Sequence, residues 1–343
     1  MARWHPGQLL FAGFEGTRLP PDLARRIGEG RIGGVVLFAR NICDPEQLRS
    51  LVDDLHARAP ADAPLCVAID QEGGRVQRLR APWTEWPPMR RLGERGSVEE
   101  TRAVARALGR ELCDLRIDLD FAPVVDVDTN PDNPIIGDRS FSRDPQEVAR
   151  HAAAFVEAIQ GEGVAACAKH FPGHGDASVD SHLELPRLDH DLERLRATEL
   201  PPFRAAAAAG VASVMTAHVL IPRLHSRLPA TLAREILDLL RGEIGFDGLV
   251  FGDDLEMAAI ADHFTPEFAT GAALEAGVDA LLVCKRADLR EEVLRGLEAA
   301  PDARIERALE RMTAFKRDHA GGRCASGASP PYPEHRGLAE RLR

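Results

Sequence analysis

Positive charge is in short supply in this chain: 43 Lys and Arg stand against 54 Asp and Glu, a formal net charge of −11 over 343 residues. That balance lacks the cationic excess that neutralises phosphates or anionic lipid headgroups, so no nucleic acid and no membrane surface is expected as a partner. Cysteine is scarce as well. Six residues are too few for a disulfide scaffold, and Cys66, Cys167 and Cys284 fall in apolar runs, where they read as small, reduced core residues. Long hydrophobic runs are missing too. The stretch MARWHPGQLLFAGFEG is broken by Gly13, Glu15 and Gly16 before it reaches the length of a signal h-region or a bilayer span, and the first cysteine is Cys43, so no lipid anchor is expected near the start. The expected compartment is the cytoplasm. There is neither a short internal repeat nor, in GFEGTRL after the first apolar run, the G-x-G-x-x-G spacing of a dinucleotide-binding open sheet.

What is present is the composition of a folded, soluble chain, 44% hydrophobic and 28% charged. Eight β-rich apolar runs recur along it: QLLFAGF, GGVVLFAR, PLCVAID, DLDFAPVVDV, VAACAKH, SVMTAHV, GLVFGDD and DALLVC. Segments of helical period lie between them, among them PEQLRSLVDDLHARA, TRAVARALGRELCDL, QEVARHAAAFVEAIQ and ATLAREILDLLRGEIG. The alternation predicts an α/β fold, a single-domain (β/α)8 TIM-type barrel over residues 1–320. The helices EEVLRGLEAA and DARIERALERMTAFKRD are expected to close it, and the Pro-, Gly- and Ser-rich composition beyond Gly321 predicts a flexible tail over 321–343.

In such a barrel the working residues sit at the carboxyl ends of strands and in the loops that follow. The third run ends in Asp70-Gln71-Glu72-Gly73-Gly74-Arg75-Val76-Gln77-Arg78, a carboxylate with guanidinium groups just beyond it, a pairing suited to sugar hydroxyls; the bland reading is a helix cap with a surface arginine. After the fourth run, DVDTNPDNPIIGDRSFSRDP places Arg139 over the mouth. The fifth run leads into the longest aperiodic segment, Lys169-His170-Phe171-Pro172-Gly173-His174-Gly175-Asp176 and then Asp180-Ser181-His182. Asp180 and His182 are two apart, so an extended segment projects both to one side, where a carboxylate can hold an imidazole as acid and base. A rival for this segment is a metal site on His170, His174 and His182 with Asp176, although Pro172 and Gly173 interrupt the helix that a His-x-x-x-His zinc motif requires. His218, at the end of the sixth run, reads equally as a ligand contact or a support. The seventh run ends in Asp253-Asp254, and strand alternation leaves the two as equivalent candidates for a nucleophile, with helix capping as the structural alternative for both. A carboxylate on one strand end and a separate proton donor on a neighbouring loop are the two parts that retaining glycoside hydrolysis needs.

Taken together, KHFPGHGDASVDSHLELP, DQEGGRVQRL, GDRSFS and GFDGLVFGDDLEM resemble the glycoside hydrolase family 3 β-N-acetylglucosaminidases of bacterial cell-wall recycling, in the same order and over about residues 8–285. The resemblance implies Asp253 as nucleophile, His182 as general acid/base and Asp180 as the partner that polarises it. It implies Asp70, Arg78, Arg139, Lys169 and His170 as the groups that hold a terminal N-acetylglucosamine. It further implies a retaining exo-enzyme acting on muropeptides, with no metal and no organic cofactor. A His/Asp dyad that has lost its proton is neutral rather than anionic and tolerates an incoming anion, so phosphorolysis is a side activity to expect; a monomer fits. The alternatives are a β-glucosidase-like exo-glycosidase of the same family, a metal-dependent hydrolase, or a sugar-binding barrel without turnover. Two departures from the family pattern stand beside the nucleophile position: Gly252 where Ser or Thr is usual, and Glu256 where a small residue is common.

Overall fold

A computed structural model describes residues 4–181, 183–225, 227–323 and 327–343. Eight parallel strands close into a barrel in chain order: β1 Leu10–Ala12, β2 Gly34–Leu37, β3 Cys66–Ile69, β4 Leu119–Asp120, β5 Ala165–Phe171, β6 Ser213–Thr216, β7 Leu249–Asp254 and β8 Ala280–Val283. Each falls in one of the eight expected runs, β5 continuing one residue past its end to Phe171. Strands buried on both faces carry continuous rather than alternating apolar sequence, which is why GVVL and CVAI announce them. Their register is direct, Gly34 to Cys66 through Leu37 to Ile69, and β8 closes the ring on β1 with Leu10 opposite Leu281. A short antiparallel hairpin, Gln71–Gly73 with Val76–Gln77, follows β3 and stands over the mouth.

Side chains fill the barrel interior. Phe251 lies edge-on to both Phe11, with ring centres 4.9 Å apart, and Phe121, at 5.3 Å. Gly34 makes room for this cluster, since a Cβ there would sit 2.2 Å from the Phe11 ring. The crossover helices start where side chains accept the orphan amides, Asp44 from Gln47 N and Asp144 from Gln146 N, and each cap is followed by a proline, which brings no N–H of its own to the first helical position.

The closing helices run Ala287–Ala299 and Asp302–His319. The segment expected as one helix, ATLAREILDLLRGEIG, is broken into a turn at Ala230–Leu232, a short helix Arg234–Asp238 and a wider π turn at Leu239–Glu243. The flexible tail expected over 321–343 needs correction in its last part: Pro333–Leu342 is a helix with Ala339 and Leu342 buried. Tyr332 Oη donates to Asp114 at 3.0 Å, and His335 Nδ1 meets Glu111 at 2.8 Å. Composition misled because proline at the first position of a helix opens it instead of breaking it. Cys66, Cys167 and Cys284 are free and buried as expected, whereas Cys113 is disulfide-bonded. Among the described residues no helix is long and apolar enough to cross a membrane.

Candidate active site

The carboxyl ends of the strands open on a cavity of about 200 Å³. Asp70, Arg78, Arg139, Lys169, His170 and Asp253 all line it, so the fold gathers six side chains that lie up to 183 positions apart in sequence. A larger concavity of about 650 Å³ lies between helices Pro266–Ala276 and Ala287–Ala299, away from the strand ends.

One wall is a linked set of charges. Asp70 directly follows β3; its Oδ1 accepts from Lys169 Nζ at 2.8 Å and its Oδ2 from Arg78 Nη2 at 3.0 Å. Glu72, two residues on, accepts both Nε and Nη2 of Arg139 at 2.8 Å, and its Oε1 also takes Lys169 Nζ at 2.6 Å. Burial opposes ionisation of Glu72, but Arg139 and Lys169 outweigh it and bring the carboxyl down to about 2. Burial works against Asp70 in the same way, and Lys169 with Arg78 holds it well below the usual carboxylate range. These groups therefore stay charged and fixed, a rigid array of donors and acceptors for hydroxyl and amide groups. The sequence motif by itself assigns Glu72 no role. Its two-residue spacing from Asp70 was the available signal, because that spacing puts both carboxylates on one face of an extended segment.

Asp126 orients the next part. Its Oδ2 accepts from His170 Nδ1 at 2.7 Å and from the His170 backbone N–H at 3.2 Å, while its Oδ1 accepts the His174 N–H at 2.7 Å. An ionised carboxylate only accepts, so Nδ1 of His170 carries a proton and Nε2 is the ring nitrogen left to a ligand. His174 shares a 3.0 Å hydrogen bond through Nε2 with Ser181 Oγ. Burial and the neighbouring His170 push His174 down to about 4. Ser181 is tied a second time, its carbonyl accepting from Ala259 N at 3.2 Å. The loop after β5 is thus docked on one side to the β5 end and on the other to the helix Ala258–Ala261 that follows β7. Asp180 lies on this loop, its carbonyl accepting from Leu183 N at 2.9 Å and Glu184 N at 3.0 Å. His182, expected as the acid/base, lies outside the described residues.

At the end of β7 the two adjacent aspartates differ in what they hold. Asp253 Oδ1 accepts the Asp254 N–H at 2.8 Å. Asp254 Oδ1 accepts the N–H groups of Glu256 at 3.1 Å and Cys284 at 3.3 Å, so this carboxyl staples the β7 end to the β8 end. Burial, and after it the Glu256 carboxylate, pushes Asp254 up to about 7. Glu256 extends the staple: Oε1 accepts from Lys285 N at 2.7 Å and Arg286 N at 2.6 Å. A small residue there would leave both amides without this acceptor. At Gly252 an added Cβ would stand 3.3 Å from Thr231 Cγ2, tighter than ordinary contact, so the hydroxyl-bearing residue of the family pattern has little room beside Thr231. Thr231 is occupied by His218, whose Nδ1 meets its Oγ1 at 2.8 Å. His218 Nε2 donates to the Asp254 carbonyl at 3.1 Å, and the ring is fully buried, so this residue supports the β7 end.

Among the described residues, which do not include His182, the metal reading finds no ligand set. Asp126 engages Nδ1 of His170, Ser181 engages Nε2 of His174, and Asp176 accepts from Thr129 Oγ1 at 2.8 Å and faces His190 at 3.4 Å. Among the described residues no three His, Cys, Asp or Glu side chains converge as a metal site would require.

Asp120, at the end of β4, is fully buried. Its Oδ1 accepts Gln71 N–H at 2.9 Å, and its Oδ2 has no hydrogen-bond partner among the described residues. Burial pushes it up to about 8 from an ordinary 3.8. The protonated form is therefore favoured by folding: the stability it contributes is complete below an ordinary carboxyl value and is lost as the pH rises through about 8. Asp120→Asn keeps the acceptor and cannot ionise. In urea titrations at about pH 6 and about pH 9 the variant is expected to lose less stability toward the alkaline end than the parent; equal losses would show that Asp120 ionises freely in the fold.

Residues 6–315 match the family described as glycosyl hydrolase family 3 N terminal domain. The chain belongs to that family, and it is a glycoside hydrolase. A β-hexosaminidase from Thiobacillus denitrificans is 42% identical over 310 residues, 87% of this chain and 84% of the relative. The family 3 β-N-acetylglucosaminidase from Paenibacillus sp. superimposes with a TM-score of 0.94 at 40% identity, over all of this chain and 68% of that one. NagZ from Neisseria gonorrhoeae superimposes with a TM-score of 0.85 at 34% identity, over 99% of this chain and 98% of that one. The resemblance to family 3 β-N-acetylglucosaminidases expected from the motifs is borne out, as is the single closed barrel.

Proposed function

We propose that this chain is a retaining exo-β-N-acetylglucosaminidase that releases terminal non-reducing N-acetylglucosamine from peptidoglycan fragments, muropeptides, in cytoplasmic cell-wall recycling. The observation that carries the reading is the shared cavity, where Asp253 meets the fixed array of Asp70, Arg78, Arg139 and Lys169. The β-N-acetylglucosaminidase and β-hexosaminidase names of its relatives support the sugar. In the first step an Asp253 oxygen bonds the anomeric carbon, the bond to the leaving oxygen breaks, and the proton on His182 goes to that oxygen. In the second step neutral His182 takes a proton from water, the hydroxide oxygen bonds the anomeric carbon, and Asp253 leaves as carboxylate. Asp180 holds the imidazole through both steps, and Asp70, Arg78, Arg139, Lys169 and His170 hold the sugar.

The test compares turnover of an aryl N-acetylglucosaminide with that of an aryl glucoside and follows the anomer first released. Preference for the N-acetyl sugar and a β product are expected; an α product would overturn the retaining mechanism, and preference for the glucoside would move the reading to a β-glucosidase. His182→Ala is expected to lower kcat by about 10²- to 10⁴-fold for substrates with a poor leaving group, and by less for an activated aryl group that needs no proton. A uniform loss across leaving groups would remove His182 from the acid role.

A further inference from the structure

At the opposite, amino-terminal end of the barrel, a cavity of about 160 Å³ gathers arginines. Arg304, Arg307 and Arg311 lie on the closing helix Asp302–His319 at spacings of three and four, which puts them on one face. Across from them stand Arg234 and Arg241, from the broken helical segment before β7, and all five line the same cavity. The acids there do not balance them. Asp279 accepts from Arg241 at 2.6 Å through one oxygen and from Arg311 at 3.1 Å through the other, so one carboxylate serves two guanidinium groups. Arg304 pairs with Glu275 at 2.8 Å, and Arg234 only distantly with Asp238 at 3.9 Å. Arg307 Nε donates to the Ala303 carbonyl of its own helix and has no ion pair among the described residues. Five arginines against three carboxylates leave the lining at 5 − 3 = +2, in a chain whose net charge is −11.

Like charges crowded in a concave site repel one another unless an anion neutralises them, and the planar fork of guanidinium matches the oxygens of phosphate two at a time. We propose that this cavity binds a phosphate group, carried by inorganic phosphate or pyrophosphate or by a nucleotide. Its small volume suits a compact oxyanion, and the negative charge of the whole chain disfavours an acidic macromolecule as the occupant. The site lies at the barrel end remote from Asp253, so it is independent of glycoside turnover.

The test uses the full chain with saturating N-acetylglucosamine present to occupy the catalytic cavity. Phosphate, pyrophosphate and ATP are titrated by calorimetry and thermal shift, with sodium chloride at matched ionic strength as reference. Saturable binding is expected, tighter for the more highly charged probes. Arg307→Gln and Arg234→Gln should each weaken it by about tenfold, the loss of one charge-assisted hydrogen bond, with aryl N-acetylglucosaminide turnover unchanged. A pyrophosphate response equal to that of ATP assigns the site to the phosphate chain; a stronger ATP response assigns it to a nucleotide. An effect matched by chloride, no saturation, or undiminished binding in both variants would overturn the proposal.

Discussion

Asp253→Ala should lower kcat/KM by about 10⁴-fold or more on any aryl N-acetylglucosaminide, the scale seen when a covalent nucleophile is removed. The expectation rests on the unequal roles of the two aspartates at the β7 end. Both line the cavity, but Asp253 spends one oxygen on a single backbone N–H. Asp254 spends Oδ1 on two, from Glu256 and Cys284, and burial raises it to about 7, which makes it a poor resident anion. Asp254→Asn preserves the acceptor of the staple and is expected to keep most of the activity. A fluorinated N-acetylglucosaminyl donor should leave a covalent adduct on the parent enzyme, detectable by mass, and none on Asp253→Ala. An adduct mapped to Asp254 would exchange the two assignments.

Glu72→Gln should cost about 3–5 kcal/mol of folding stability, because it strips one buried carboxylate from the buried Lys169 and the half-buried Arg139 at once. Glu72 is 2% exposed and Lys169 2% exposed, so water cannot take over the lost partner. The amide keeps one acceptor oxygen but sets an NH2 donor against a donor of the cluster, so Arg139 no longer has a carboxylate to grip in both fork positions and Lys169 keeps Asp70 as its one anionic partner of the pair. Urea unfolding measures the loss, and KM for the N-acetyl sugar should rise with it, since Arg139 and Lys169 are then held less firmly. A change below about 1 kcal/mol would mean that the cluster is hydrated in solution. The same pairing sets a pH dependence. The Glu72 carboxyl is brought down to about 2 from an ordinary 4.5, so the stability it contributes is present above the ordinary value and is lost as the pH falls toward 2. Glu72→Gln should remove that part of the acid slope.

The motifs showed in sequence because their residues are contiguous. KHFPGHGD and DQEGGRVQR concentrate charge and imidazole at the ends of apolar runs, where a barrel strand delivers them to the mouth. Which residue meets which was not legible. Asp126 and His170 are 44 positions apart, and Glu72 and Arg139 are 67 apart; nothing in either segment names its partner. The choice between Asp253 and Asp254 required the family resemblance, because alternation along a strand says only that the two point differently. The structure adds the reason they differ, namely the β8 amide at Cys284 that Asp254 holds. The helix Pro333–Leu342 escaped notice because its stability comes from contacts with Glu111 and Asp114, far away in the chain.

By itself, then, the order of apolar runs and helical segments determined the barrel: parallel strands buried on both faces can be built from little else, and eight of them with crossovers close on themselves. Tertiary structure alone decided the ionic partnerships of Asp70, Glu72 and Lys169, the docking of the β5 loop through Ser181, and the arginine-lined cavity at the far end. Those depend on which side chains closure brings within a few ångströms, and hydrogen bonds and buried charges act only over that distance.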